Sequence, residues 1–577
     1  MTVDYGQFDR GRGLNYWQYD PVLQHEVERT YGGDRGWAEE RFDEFGDIVG
    51  SIVAEHSDSI DEHGPELRRY DRFGDAVNEV EYHPHQLESE RLVYGSGAVA
   101  DSFRAPPEQD APAPMLHHLT MDYLLAYADV GLTCPVAMTA GVALVLERFA
   151  DGSDADSSGA DGPLSETFDR LTTREYDDLL QGAMFLTERQ GGSDVGATET
   201  IAERVEDGSG WELSGEKWFC SNVDSGAILT LARRPDAPAG TDGLSLFLVP
   251  ETTHDNEENE YTIRRLKDKL GTVSVPTGEV EFGGTEANLV GEIDSGFRYM
   301  SEMLNLERIA NAFASCGLMG RALLESKVRA ANREAFGKSI DQYPLMRRDL
   351  VEMAVAHEAA TAFTFDAGRA FDRYQQGDED AFGLMRLLVP IAKSRTGRMA
   401  VDVASYAMEI HGGNGYVNDF VTHRLLRDAQ VLPIWEGTSN ILSLDVLRSM
   451  ARENAHEPAL ALIRDRLDGV EHDELTDLVV TTRDELGGLQ EALGAVATEG
   501  DDYAQHHAKE LAEYVFDVYT AALLLSEADG ELAAGNDRKA LVARQFVTDS
   551  LGETSARGIT SGETLPSDAF EKIVRFA

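Results

Sequence analysis

At 577 residues the chain is too long for a single hydrophobic core, so three or four domains are expected. Its 42% hydrophobic content, spread over many periodic segments, excludes an acidic disordered chain. The 104 acidic residues against 51 basic, a formal −53, lie in every segment and include only nine lysines among the cations; they predict a halophilic surface, where dense carboxylates keep a protein soluble in strong salt.

Three well-separated cysteines, Cys134, Cys220 and Cys316, exclude a disulfide framework and a cysteine-based zinc site. No apolar run approaches the ~20 residues of a membrane span. The start, Met1-Thr2-Val3-Asp4-Tyr5, lacks the basic and apolar regions of a signal peptide, so a cytoplasmic protein with no membrane partner is expected.

In chain order, residues 1–180 read as a mostly helical N-terminal domain with an irregular start. Segments 121–127 and 137–148 carry apolar residues at helical spacing, and 131–135 between them reads as a turn. Residues 151–165, small, polar and acidic, read as a surface loop. Residues 181–293 form a middle domain of short β-type runs at 211–213, 228–232, 244–249 and 279–282, broken by turn residues and an acidic loop at 252–260. Helical periodicity returns over 294–450, in segments such as 322–332 and 346–373. Residues 451–577 make a further helical extension of less regular period. No internal repeat is evident.

One carboxylate stands out, Glu436 in Pro433-Ile434-Trp435-Glu436-Gly437-Thr438-Ser439-Asn440. Gly437 frees the backbone to turn, and Thr438, Ser439 and Asn440 are cap-type residues that start the next helix. Such a helix start suits a diphosphate or a polarised oxygen. A carboxylate against an aromatic suits a general base, since poor solvation raises its proton affinity. Taken alone, a solvated turn glutamate explains the pattern as well.

Four further motifs precede it. They are Thr187-Glu188-Arg189-Gln190-Gly191-Gly192-Ser193-Asp194, Lys217-Trp218-Phe219-Cys220-Ser221-Asn222, Asn332-Arg333-Glu334-Ala335-Phe336-Gly337-Lys338 and Glu409-Ile410-His411-Gly412-Gly413-Asn414-Gly415-Tyr416. In this order and spacing the chain resembles the acyl-CoA dehydrogenase family of flavoproteins, over residues 15–450, and within it the AidB-like branch. The branch is suggested by the Thr-Glu-Arg-Gln-Gly-Gly-Ser-Asp motif, by Leu132-Thr133-Cys134-Pro135, by Arg265-Leu266-Lys267-Asp268-Lys269-Leu270-Gly271, by Trp435-Glu436-Gly437 and by the helical extension after residue 450. The fold implied is mainly α with a central antiparallel β domain (α, β, α), followed by that helical extension.

The resemblance implies an FAD site. Phe185, Thr187, Gly192 and Ser193 would line one side of the flavin, and Phe219, Cys220 and Ser221 the other. Arg333, Phe336 and the Gly412–Gly413 backbone would reach the FAD of a neighbouring subunit in a homotetramer built from dimers, and Thr438 and Asn440 would complete the contacts. Read singly, the first motif is also a Gly-rich turn, Arg333 a surface charge and Gly412–Gly413 a helix C-cap. Glu436 aligns with the catalytic base, which takes the pro-R α-proton of an acyl-CoA while the β-hydride leaves to flavin N5, giving a trans-2-enoyl-CoA. Ser193, Gly437 and Arg308 would face substrate, though Arg308 reads equally as a helix-surface ion pair. The implied electron acceptor is electron-transfer flavoprotein.

Two departures stand against the family pattern. Pro344 replaces a glutamine that touches adenine, and Ser274-Val275-Pro276-Thr277 replaces a Ser-x-Thr pattern. The alternative function is that of a DNA-protecting flavoprotein with little turnover. Residues 451–577 hold 11 basic and 26 acidic residues, which disfavours DNA, although residues 538–544 leave a local basic cluster.

Overall fold

The computed structural model describes residues 3–153, 162–205, 210–552, 566 and 568–577. The chain forms two compact units, one of residues 44–310 and one of residues 1–43 with 311–577. Helix α1 (Pro21–Tyr31) starts where Pro21 fixes φ and the Asp20 carboxylate accepts from the Leu23 N–H at 3.0 Å. α2 (Gly36–Ile48) and α3 (Ala54–Glu62) follow.

Residues 1–180 are not wholly helical, because a hairpin of β1 (Glu66–Tyr70) and β2 (Ala76–Glu81) interrupts them. Its strands are largely exposed and held by cross-strand pairs such as Arg68–Glu81 at 3.1 Å. With only Val80 of its two strands buried, the hairpin lacks the sustained alternation by which strands are read from sequence. α4 (Pro84–Gly95) and the fully buried α5 (Met115–Ala126) come next.

The turn expected at residues 131–135 is instead the start of α6 (Val130–Phe149). Asp129 caps it, accepting from Gly131 N–H at 2.8 Å and Leu132 N–H at 3.2 Å, and this cap lets the helix begin before the proline that suggested a break. Gly131 is required there, since a Cβ would lie 2.1 Å from Ser274 Oγ. α6 is long and apolar enough to cross a membrane, contrary to the sequence reading, but 89% of its apolar window is buried inside the protein. α7 (Pro163–Leu171) closes this helical part, and residues 154–161 of the expected acidic loop lie outside the described residues.

The β domain comprises β3 (Gly182–Phe185), β4 (Ile201–Arg204), β5 (Trp211–Ser221), β6 (Ala227–Arg233), β7 (Leu244–Pro250), β8 (Thr262–Leu266) and β9 (Thr277–Val290). Strands β6, β4, β5, β9 and β7 pair in a closed ring, with β3 added on β6 and β8 on β9. Pairing is antiparallel, that of β6 with β7 included, except that β6 runs parallel to β3 and meets β4 in one parallel bridge. β6 and β7 are buried along almost their whole length, so they read as continuous apolar runs.

α8 (Gly296–Asn332) leads to a two-residue hairpin of β10 (Glu334–Ala335) and β11 (Lys338–Ser339). α9 (Pro344–Gln375) and α10 (Ala381–His411) pack together, and α10 also packs on α11 (Thr422–Ala429) and α12 (Ser439–Glu453). The extension consists of α13 (His456–Gly469), α14 (Thr476–Thr498), α15 (Asp501–His506), α16 (Ala508–Ala533) and α17 (Arg538–Leu551).

Buried charges fasten the extension to α9. Glu358 accepts from Arg538 at 2.6 Å and Lys539 at 2.8 Å. Asp366 accepts from Arg466 at 2.5 Å and from the Tyr519 hydroxyl. Burial alone would raise both carboxyls; the facing cations reverse this, holding Glu358 far below the usual range and Asp366 down to about 2. Because the folded values are depressed, this stabilisation is complete above the unfolded carboxylate pKa of about 4 and is lost as pH falls through the folded values. Acid titration followed by far-UV circular dichroism should therefore show helix loss beginning below pH ~4, and Glu358→Gln should lessen the acid sensitivity while lowering stability at pH 7. A pH-independent stability between 5 and 2 would refute this.

Candidate active site

The sequence motifs fall into two groups, one in each unit. In the unit of residues 44–310, β3 runs into the Gly-rich loop that begins at Thr187. Glu188 is the anchor of that loop: its carboxylate accepts from Glu199 N–H (2.6 Å), Thr200 N–H (3.1 Å), Thr200 Oγ1 (2.6 Å) and Lys217 Nζ (2.9 Å). Burial would raise this carboxyl, but Lys217 and the donated hydrogen bonds hold it below its usual value. Lys217, fully buried, is pulled down by burial against the opposing pull of Glu188. Trp218 N–H donates to the Thr187 carbonyl at 2.8 Å, which fastens the first motif to the second. Gly192 folds so close over Thr187 that a Cβ would lie 2.5 Å from its Oγ1.

Along β5 the side chains alternate. Phe185 on β3 and Cys220 on β5 are fully buried, so neither presents a side-chain surface; what they offer a ligand is backbone. Burial also pushes the Cys220 thiol well up, so it is an inert packing group. Phe219 is 55% exposed, and Ser221, half-buried, lies 3.1 Å from Thr277 Oγ1. Lys267, paired with Glu279 at 2.6 Å, stands 3.5 Å above the Trp218 ring and 4.8 Å above Phe219. An aromatic face with a fixed cation and hydroxyls at Thr187, Ser193 and Ser221 is the surface a flavin needs, an apolar wall with a few polar contacts. Arg308 is half-buried on α8 and engaged with neighbours in its own fold.

In the unit of residues 1–43 and 311–577, Phe336 and Gly337 form the tip of the β10–β11 hairpin with φ of 52° and 92°. A phenylalanine in the left-handed region and 98% exposed is costly on both counts. Arg333 is exposed beside it. Gly412 caps α10 at φ 64°, with Gly413 also exposed.

Glu436 lies in the segment between α11 and α12, half-buried, with φ 55°, and Gly437 follows at φ 109°. The Trp435 indole N–H is buried without a hydrogen-bond partner among the described residues. Thr438 is the N-cap of α12, as expected, but its side chain makes no cap hydrogen bond. A cleft of about 310 Å³ opens there, lined by Arg398, Gln430, Pro433, Ile434, Thr438, Ser439 and Asn440. An arginine facing a helix start without a side-chain cap suits an anionic group.

Lys393, which donates to the Gly437 carbonyl at 2.6 Å, carried no sequence signal, and Lys217, though it opens a motif, gave no sign that it is the partner of Glu188. Their ion pairs and backbone contacts join positions 29 or more residues apart, beyond any local pattern. The basic cluster at residues 538–544 does not form a groove: Arg538 and Lys539 are committed to Glu358, and Arg544 pairs with Asp477 at 2.7 Å.

Comparison with known proteins gives three family matches: the adaptive response protein AidB N-terminal domain at residues 7–178, the acyl-CoA dehydrogenase middle domain at 183–285 and the acyl-CoA dehydrogenase C-terminal domain at 294–451. Acyl-CoA dehydrogenase family member 11 of Caenorhabditis elegans is 30% identical over 91% of this chain and 86% of its own. The putative acyl-CoA dehydrogenase AidB of Escherichia coli (strain K12) is 35% identical over 67% of this chain and 70% of its own. The solved structure of Caenorhabditis elegans ACDH-11 in complex with C11-CoA superposes with a TM-score of 0.87 at 27% identity, covering 97% of this chain and 95% of that one. An acyl-CoA dehydrogenase of Bacillus anthracis complexed with FAD shares the fold, with a TM-score of 0.72 at 17% identity, over 100% of this chain and 96% of its own.

Proposed function

The chain belongs to the acyl-CoA dehydrogenase family, and from that premise we propose that it is an FAD-dependent acyl-CoA dehydrogenase with Glu436 as its base. The observation that carries this reading is the left-handed backbone at Glu436, a conformation a glutamate keeps only where its surroundings impose it. FAD is the cofactor, and Thr187, Ser193, Phe219, Ser221, Thr438 and Asn440 are the residues proposed to hold it, with the Gly192 fold and the α12 start supplying backbone donors. When bound, FAD supplies the acceptor for the β-hydride.

The remaining chemistry falls to the protein. The Glu436 carboxylate takes the pro-R α-proton of an acyl-CoA, and the electron pair of the broken Cα–H bond becomes the Cα=Cβ π bond of a trans-2-enoyl-CoA as the β-hydrogen leaves as hydride. An α-proton is very weakly acidic, so enolate charge on the thioester oxygen needs a donor; the Glu436 backbone N–H is proposed for that role. Ser193, Gly437 and Arg308 are the proposed substrate contacts, and electron-transfer flavoprotein the proposed acceptor. The AidB-like alternative, DNA protection, is less well supported, since the cations of residues 538–544 are already paired, Arg538 and Lys539 with Glu358 of α9 and Arg544 with Asp477.

The test is anaerobic: the purified yellow protein in strong salt, mixed with acyl-CoAs of varied length and branching, should bleach with at least one of them. A flavin that dithionite bleaches and no acyl-CoA does would leave the DNA-protection reading in place.

Phe336 and Arg333 are further proposed to complete a neighbour's cofactor site in a homotetramer built from dimers. Light scattering in molar salt should then give a tetramer, and Phe336→Ser should lower flavin content as well as assembly. A flavin-loaded monomer would refute the proposal. Because carboxylate repulsion is less screened in dilute buffer, lowering salt should release subunits and flavin together.

A further inference from the structure

The segment that carries Glu436 lies against one face of α10, and two residues of that helix meet it at two points. Gly397 meets it first. A Cβ there would lie 3.1 Å from the carbonyl carbon and oxygen of Leu432 and 3.2 Å from Pro433 N, all backbone atoms that cannot rotate away. Lys393, one turn back on the same face, meets it second. It is fully buried, and its Nζ donates to the Gly437 carbonyl at 2.6 Å. A short bond from an amine that can carry charge is stronger than an ordinary amide contact.

Glu436 sits between these two points. Its φ of 55° and that of Gly437 at 109° belong to neither a helix nor a strand, so no regular ladder fixes them. Backbone bonds enter the segment from Ile434 N–H to the Val431 carbonyl at 2.8 Å and from Trp435 N–H to the same carbonyl at 3.1 Å. Beyond Gly437, Leu442 N–H bonds back to the Thr438 carbonyl at 3.0 Å as α12 begins. Lys393 therefore holds the peptide directly after the strained residue.

We propose that Lys393, with Gly397, is the positioning device of the catalytic loop, holding the segment at both ends so that Glu436 keeps its left-handed backbone and its carboxylate direction. The proposal rests on Glu436 being the base. Lys393 does not touch the reacting atoms; it acts by fixing the residue that does. Misplacing a base by about 1 Å costs on the order of 10²-fold in rate, so loss of the clamp has a sizeable expected effect.

The test uses the FAD-loaded full-length protein. Lys393→Met keeps length and apolar volume and removes the donor. The expected result is a fall of roughly 10- to 100-fold in the limiting rate of flavin reduction by a good acyl-CoA, with the half-saturating acyl-CoA concentration nearly unchanged. Amide hydrogen exchange at residues 435–438 should speed up while the rest of α10 and α12 keeps its protection. Lys393→Arg, which retains a donor, should recover part of both losses, and Gly397→Ala should reproduce the pattern from the other end. A wild-type rate, or a slowed rate with wild-type exchange at residues 435–438, would overturn the proposal. Should Lys393→Met not fold, Gly397→Ala is judged by the same two readouts. Glu436→Gln separates the two ideas: if it reduces flavin at the wild-type rate the base assignment fails, whereas faster loop exchange in Lys393→Met still reports the clamp.

Discussion

Glu436→Gln is expected to slow reduction of the bound flavin by an acyl-CoA by about 10²–10⁴-fold while leaving flavin content and thermal midpoint near wild type. The amide has almost the shape of the carboxylate and the side chain is only half-buried, so the fold has little reason to respond. What changes is the ability to accept a proton. A glutamate that served only to shape the turn would give the opposite pattern, lost stability or flavin with residual turnover in proportion. Stopped-flow absorbance of flavin reduction, measured beside a denaturation curve, distinguishes the two.

Glu188→Ala should show that opposite pattern. Glu188 receives four donors, and one of them, Lys217, is fully buried. Removing the carboxylate strands that ammonium and the Thr200 hydroxyl inside the protein, at a cost of about 3–5 kcal/mol for a broken buried pair. The loop that folds from Thr187 through Gly192 to Ser193 loses its anchor at the same time, so flavin content should fall together with stability. Urea unfolding and flavin absorbance measure both. A variant within ~1 kcal/mol of wild type that keeps its flavin would show that the loop is held by something else. The depressed Glu188 carboxyl adds a pH signature: its contribution is complete above the unfolded carboxylate pKa of about 4 and is lost as pH falls through the lower folded value.

How much of this was legible in the sequence depends on how local each signal is. Thr438 as the cap of α12 and Gly412 as the end of α10 are set by residues next to them and stand where expected. The long helices and the apolar strands β6 and β7 announce themselves by period and by continuous burial. The β1–β2 hairpin was not legible, because its strands are largely exposed, bury only Val80 and carry charged cross-strand pairs such as Arg68–Glu81. The start of α6 was misread because Pro135 suggests a break, whereas the Asp129 cap sets the helix start before it. In the candidate site, Glu436 could be singled out from its neighbours, but its φ of 55° could not, and neither could Lys393, 43 positions earlier in the chain. Cys220 lies in a motif segment and Phe185 two residues before one, yet both side chains face the interior, that of Cys220 just after a bulge in β5 between Lys217 and Cys220.

The most direct measurement is anaerobic flavin reduction by an acyl-CoA carrying deuterium at the α-carbon, compared with the unlabelled compound, in wild type and in Glu436→Gln. If Glu436 removes the α-proton in the step that reduces the flavin, wild-type bleaching is slower with the deuterated substrate, 2-enoyl-CoA accumulates in proportion to flavin reduced, and Glu436→Gln scarcely bleaches with either. Equal bleaching of wild type and Glu436→Gln, with no sensitivity to α-deuterium, would contradict the account.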